Sequence, residues 1–186
     1  MPTIVYEFAW PDRVVIGTVG LPGSRTFYLQ VRTGAQIVSI ALEKQQSALL
    51  ADKLTELLEQ LMTHDGNPFS VPATTPIELV DNDPLEQPVE EQFRTGTMSL
   101  GWDPRTAQVV IEAYPLMPDD DDEDADEDSA PDAQPAEMLL VRLPVGTAQA
   151  FATRTREVVG AGRPICVLCG TPVDEAGHIC TLPGDN

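Results

Sequence analysis

The sequence predicts an α+β protein made of two related halves, each an antiparallel β-meander followed by one helix. Short stretches rich in Val, Ile and aromatic residues alternate with Gly- and Pro-containing turns, a long leucine pattern of helical spacing follows the first set, and a similar succession follows later. With 186 residues, 42% of them apolar, the chain can bury one large core or two small ones.

Residues 4–8 and 13–19 alternate imperfectly and, with Pro11-Asp12 as the turn, read as a strand pair. Leu21-Pro22-Gly23-Ser24 turns into residues 26–31, where Phe27, Leu29 and Val31 share a face, and Thr33-Gly34 turns into residues 37–42. Four antiparallel strands in a meander are the simplest arrangement. Residues 45–63 then place Leu50, Leu54, Leu57, Leu58 and Leu61 at three- and four-residue spacing, the mark of a helix with one leucine face. Gly66-Asn67-Pro68 ends it, closing a first half over residues 1–66. Residues 67–92 are dense in Pro and acids and read as a linker with one short strand at 77–80.

The second half, residues 93–161, repeats the outline. Gly96-Thr97-Met98-Ser99-Leu100 leads through Asp103-Pro104-Arg105-Thr106 to Val109-Val110-Ile111, echoing Gly17-Thr18-Val19-Gly20-Leu21 through Arg25-Thr26 to Tyr28-Leu29-Gln30-Val31. Residues 138–143 read as a strand, and 147–159 as a helix with Ala148, Phe151, Ala152, Thr155 and Val159 on one face. An internal duplication with pseudo-twofold packing accounts for the echo. The half is interrupted at 118–136, where nine of the ten residues 119–128 are acidic; a run that repels itself and has nothing to bury predicts a disordered, solvated loop.

The formal charge of −19 opposes binding to nucleic acid and anionic lipid, both of which are recognised by clustered Lys and Arg. No basic, apolar leader opens the chain and no run of about 18 apolar residues occurs, so a cytoplasmic protein without a membrane segment is expected. The catalytic inventory is small. One histidine, His64, lies near the end of the leucine helix, where the helix dipole explains it, and no catalytic residues are assigned. Gly17 to Gly23 lies between strands and reads as a hairpin turn rather than a phosphate loop. Arg25 and Arg105, each at a turn, are weak candidates for an anion pocket that would hold a nucleotide or sugar phosphate. Trp10 and Trp102 border turns as core edges or as exposed anchors for a partner.

The last quarter carries the clearest chemistry. Cys166 and Cys169, followed by Gly170, form a CxxC knuckle, and His178 and Cys180, two residues apart, leave an extended segment from the same face. Residues 171–177 contain Pro172 and Gly177, placed to reverse the chain. Three thiolates and one imidazole make a soft tetrahedral set with no position left for water, which predicts one structural zinc per chain in a zinc knuckle over residues 162–186. A redox dithiol at Cys166 and Cys169 is the rival, weakened because the pair follows a helix in a Gly- and Pro-rich tail.

Gly17-Thr18-Val19-Gly20, Pro22-Gly23 and Arg25-Thr26-Phe27-Tyr28-Leu29-Gln30, with Arg163-Pro164-Ile165-Cys166, Cys169-Gly170 and Gly177-His178-Ile179-Cys180, resemble an actinobacterial family catalogued as a domain of unknown function, number 3090. The family pattern usually has Pro after the first cysteine, where this chain has Val167. The resemblance implies an actinobacterial cytoplasmic protein and supports the four zinc ligands, but it implies no activity. The expected function is therefore a non-catalytic interaction or adaptor protein whose partner is another protein; the alternative is an enzyme or sensor for a small anionic metabolite.

Overall fold

The computed structural model describes residues 4–117, 136–162, 166–169, 171, 173 and 177–180. The expected acidic loop thus lies outside the described residues, apart from Ala136. Strands β1 (Ile4–Phe8), β2 (Arg13–Val19), β3 (Thr26–Thr33) and β4 (Gln36–Leu42) precede helix α1 (Lys44–Thr63). A 3-10 turn (Ile77–Leu79) precedes β5 (Glu91–Asp103), β6 (Gln108–Pro115), β7 (Glu137–Pro144) and helix α2 (Val145–Gly160).

All seven strands form one mixed sheet in the order β1-β7-β6-β5-β4-β3-β2. Its edges, β1 and β2, are joined by residues 9–12 alone. Flat, the sheet would separate them by six strand spacings, about 29 Å, whereas the chain from Phe8 to Arg13 spans at most about 18 Å. The sheet therefore curls until its edges approach, which brings β1 against β3 and buries Phe8. The connection is tied down on both sides: the Asp12 amide donates to the Arg32 carbonyl, Asp12 Oδ2 accepts from the Gly34 amide, and Gln108 Nε2 donates to the Ala9 carbonyl at 2.8 Å.

This closure corrects the expected four-strand meander. Only β2, β3 and β4 follow one another antiparallel; β1 instead runs parallel to β7, from Ile4 opposite Glu137 to Phe8 opposite Val141. The four residues 9–12 carry the chain from one edge of the curled sheet to the other instead of turning it back into a hairpin. The second meander, β5-β6-β7, is antiparallel as expected. The two meanders meet where β4 and β5 pair in parallel, Ser39 opposite Glu91 and Ala41 opposite Arg94, an arrangement that requires a crossover and receives it through α1 and residues 64–90. The units β2–α1 and β5–α2 therefore follow one another round the curl in the same order and direction.

The crossover is packed rather than free. Val71 and Leu85 are buried, and Leu85 occupies the space a side chain at Gly17 would need, since a Cβ there would lie 2.5 Å from Leu85 Cγ. Gln30 holds Glu86 by both main-chain groups, donating to its carbonyl and accepting from its amide. Arg13, 11% exposed, donates to the Asp81 carboxylate and to the carbonyls of Asp83 and Pro84. Residues 77–79, expected as part of a strand, form the 3-10 turn instead. Pro76 fixes the backbone at its start, the Leu79 and Val80 amides donate to the Pro76 and Ile77 carbonyls, and Leu79 lies on Gly146 of α2, away from any ladder.

Both helices bury most of their expected faces, except that Leu57 and Val159 are only half-buried and Val158, outside the expected face, is buried in α2. Leu50, Leu54, Leu58 and Leu61 of α1 and Ala148, Phe151, Ala152, Thr155 and Val158 of α2 are buried, and the small residues of α2 allow the two helices to pack on each other. One apolar cluster joins them to Leu29, Ile40, Ile111, Leu139 and Leu143 of the sheet. Among the described residues no helix is long and apolar enough to cross a membrane.

The Arg13 hydrogen bond holds the Asp81 carboxyl below its ordinary range. A depressed carboxyl contributes its full stability above the unfolded value of about 4 and loses it as the pH falls through the lowered folded value. Asp81→Asn is expected to cost about 1.5–3 kcal/mol in urea unfolding at neutral pH. The deficit relative to the unsubstituted protein should shrink as the pH is lowered below about 4.

Candidate metal centre

Helix α2 delivers the chain to the centre. It ends with the Ala161 amide donating back to the Glu157 carbonyl, and the centre is built on two short stretches beyond that point. In the first, the Cys166 amide donates to the Thr171 carbonyl at 2.9 Å, which ties together the stretch that carries Cys166 and Cys169. The Leu168 amide lies 3.4 Å from Cys166 Sγ, the N–H-to-sulfur contact of a knuckle. The second begins at Gly177, whose φ of +83° suits glycine, and continues to His178 and Cys180 on one side of the chain with Ile179 on the other.

The four donors converge. Cys166 Sγ lies 3.3 Å from Cys180 Sγ, His178 Nε2 lies 3.1 Å from both Cys169 Sγ and Cys180 Sγ, and Cys169 and Cys180 Sγ are 3.7 Å apart. All four ligand atoms lie within 4.8 Å of one another. A tetrahedral ion with about 2.3 Å to sulfur and 2.0 Å to nitrogen requires ligand separations of about 3.5–3.8 Å. The observed cluster brackets that range. The sulfurs are too far apart for a disulfide, which requires about 2.05 Å, and all three cysteines are free thiols.

The electrostatics of the cluster favour a cation at its middle. The Thr171 hydroxyl and amide, with help from His178, hold the Cys169 thiol down to about 6. The sulfurs of Cys166 and Cys169, together with desolvation, push Cys180 up to about 12. A thiolate at Cys169 is thus accommodated and one at Cys180 opposed, a conflict a single divalent ion at the centre would relieve. The residues that could hold such an ion are Cys166, Cys169, His178 and Cys180. Their sulfur-rich set suits zinc, and with four protein donors the tetrahedron has no vertex for water.

The other sequence candidates are engaged elsewhere. Arg25 donates to the Val158 carbonyl near the end of α2 and lies over the Phe27 ring, while Arg105 is exposed beside Asp103 on the β5–β6 turn. They stand on different turns with different partners. Gly17 to Gly23 spans the end of β2 and the β2–β3 turn, with positive φ at Gly20 and Gly23, as expected of a hairpin. His64 is the C-terminal cap residue of α1. Trp102 packs edge-on against Phe69 at 4.8 Å, a core edge, whereas Trp10 is exposed.

Two features of the centre escape sequence reasoning. Thr171 reads as part of a reversal, yet its hydroxyl sits 2.9 Å from Cys169 Sγ; a hydroxyl two residues beyond a knuckle cysteine is the available signal. Val167, Leu168 and Ile179 are 96%, 70% and 94% exposed. Their signal is apolar residues inside a motif too small to bury them.

Over residues 6–180 the chain matches the family described as "Protein of unknown function (DUF3090)", and it belongs to that family. No curated protein and no solved structure matches it. Chelator-stripped protein titrated with Co(II) should bind about one equivalent and develop the absorption of a tetrahedral thiolate complex. Cys169→Ser should weaken that binding and shift the spectrum; an octahedral spectrum, or no binding, would contradict the donor set.

Proposed function

We propose that this member of the family is a non-catalytic interaction or adaptor protein. In it one structural zinc ion, held by Cys166, Cys169, His178 and Cys180, fixes the C-terminal knuckle as a docking tail. The observation that carries this reading is the pairing of a closed four-donor set with an apolar exterior. Three protein thiols and an imidazole occupy every vertex of a tetrahedron, so the ion would hold the backbone and expose no position to a substrate. Around it Val167, Leu168 and Ile179 point outward with no interior to receive them. Clustered apolar side chains on a rigid support are a feature of protein-binding surfaces.

The remaining properties agree with a protein partner. A charge of −19 disfavours nucleic acid and membrane surfaces. Cysteines held as thiols suit a reducing, cytoplasmic compartment. The repeated order of three strands and a helix suits an ancestral duplication that supplies a scaffold.

Affinity capture from cells of the source organism, using the intact chain and a chain ending before Arg163, tests the reading. A stoichiometric protein partner should be retained by the intact chain only. The double substitution Val167→Asp with Ile179→Asp should abolish its capture while leaving the zinc content at about one per chain. Equal capture with and without the tail would contradict it, as would turnover of a defined substrate abolished by a substitution in the body.

A further inference from the structure

Strand β5 outlasts its neighbour β4. Strand β4 ends at Leu42, and its pairing with β5 stops at Ala41 opposite Arg94. Strand β5 continues to Asp103, paired with β6 on one side. On its other side no described strand meets it beyond that point.

The chain sets α1 alongside the vacated place; the helix leaves β4 without reversing and runs beside β5 in the same direction. Gln46, in the first turn of α1, donates to the Thr95 and Gly96 carbonyls at 3.1 Å. Phe69, just beyond the end of α1, packs on Trp102. These two contacts pin helix to strand at both ends. Between them lie residues 97–101, over about 16 Å, whose main-chain groups on the open side meet no hydrogen-bond partner among the described residues.

Along this interval helix and strand part to leave a groove of about 410 Å³. A stripe of α1, Leu49, Leu50, Lys53 and Leu57, forms one wall, and Met98 and Leu100 form the other. Lys53 and Glu56 on the rim pair with each other at 2.6 Å, leaving the walls chiefly apolar.

We infer that this groove binds an extended peptide segment of another protein, added as a strand to the open edge of β5 with alternate apolar side chains against α1. A row of open amides and carbonyls is matched in spacing by another extended main chain, and the apolar walls select what that chain carries on the inward face. A second copy of this protein is disfavoured, because its own α1 stands beside its β5 and the two helices would meet before the two edges could pair. The charge of −19 decides the outward face, where Lys or Arg is favoured. The surface rests on the interaction-protein reading only in taking a protein partner, and it shares no residue with the metal centre.

The probe is a phage-displayed library of linear twelve-residue peptides, selected against the full-length, zinc-loaded protein. Selected peptides should alternate apolar residues with Lys or Arg. A synthetic peptide of the consensus should shift the amide resonances of residues 97–101 and of α1. Leu49→Arg replaces a groove residue that is 57% exposed, so the fold should keep its thermal midpoint. That substitution should weaken the peptide about tenfold or more, while Leu21→Arg, at an exposed apolar residue outside the groove, should leave it unchanged.

Enrichment of no peptide over an unrelated control protein would overturn the inference. So would a peptide that binds Leu49→Arg as well as the unsubstituted chain, or one that moves only the resonances of residues 166–180; that last result would leave the docking tail intact. Concentration-dependent dimerisation that broadens residues 97–101 would also overturn it, by assigning the edge to a second copy.

Discussion

The short connection between Phe8 and Arg13 is the constraint from which the body of the molecule follows. Its four residues, 9–12, must join strands that stand at opposite edges of a seven-stranded sheet, and a flat sheet does not permit that. Curling satisfies the chain and also satisfies the core, because it gathers side chains of β1, β3, β6 and β7 and both helices into one apolar cluster. The polar bonds at this place belong to the same solution. Gln108 and Arg32, from β6 and β3, both hold the connection through its main chain, so the closure is fixed by hydrogen bonds that cross the seam.

A second consequence concerns where the two helices leave the sheet. Helix α1 departs from β4 at the level where β5 continues, so the helix stands beside an edge it only partly covers. Helix α2 packs along α1 and β2 and then releases the chain toward the metal centre. The Arg25 side chain, holding the Val158 carbonyl, fixes that exit. Between the centre and the body the polar contacts described are few, and the order of the centre depends on its own bonds: one backbone hydrogen bond from Cys166 to Thr171 and the convergence of four donors. A segment with so little apolar surface to bury needs a strong local interaction to stay ordered, and metal ligation would supply one.

Much of this was legible in the residues. The leucine spacing of α1, the Gly-rich β2–β3 turn and the antiparallel runs within each meander are local signals, and the structure reproduces them. The cluster of Cys166, Cys169, His178 and Cys180 was legible for the same reason, since CxxC and a His-x-Cys pair are short-range patterns. Partner choice among strands is not local. Nothing within residues 4–8 distinguishes pairing with β2 from pairing with β7 across more than a hundred residues; the choice is settled by closing the sheet. The crossover misled for a related reason: Pro and acidic residues suggest a free linker, but Asp81 and Glu86 are there to meet Arg13, Arg32 and Gln30. The anion pocket depended on two turns meeting, and each arginine found a nearer partner.

The chemical centre of the molecule is the claim that three cysteines and one histidine close a metal site to solvent. X-ray absorption at the zinc edge of the full-length, zinc-loaded protein measures that directly. Three sulfur neighbours at about 2.3 Å and one nitrogen at about 2.0 Å, with no oxygen, are the expected result. A fitted oxygen ligand, or only two sulfurs, would show an open site and would remove the basis for a purely structural metal.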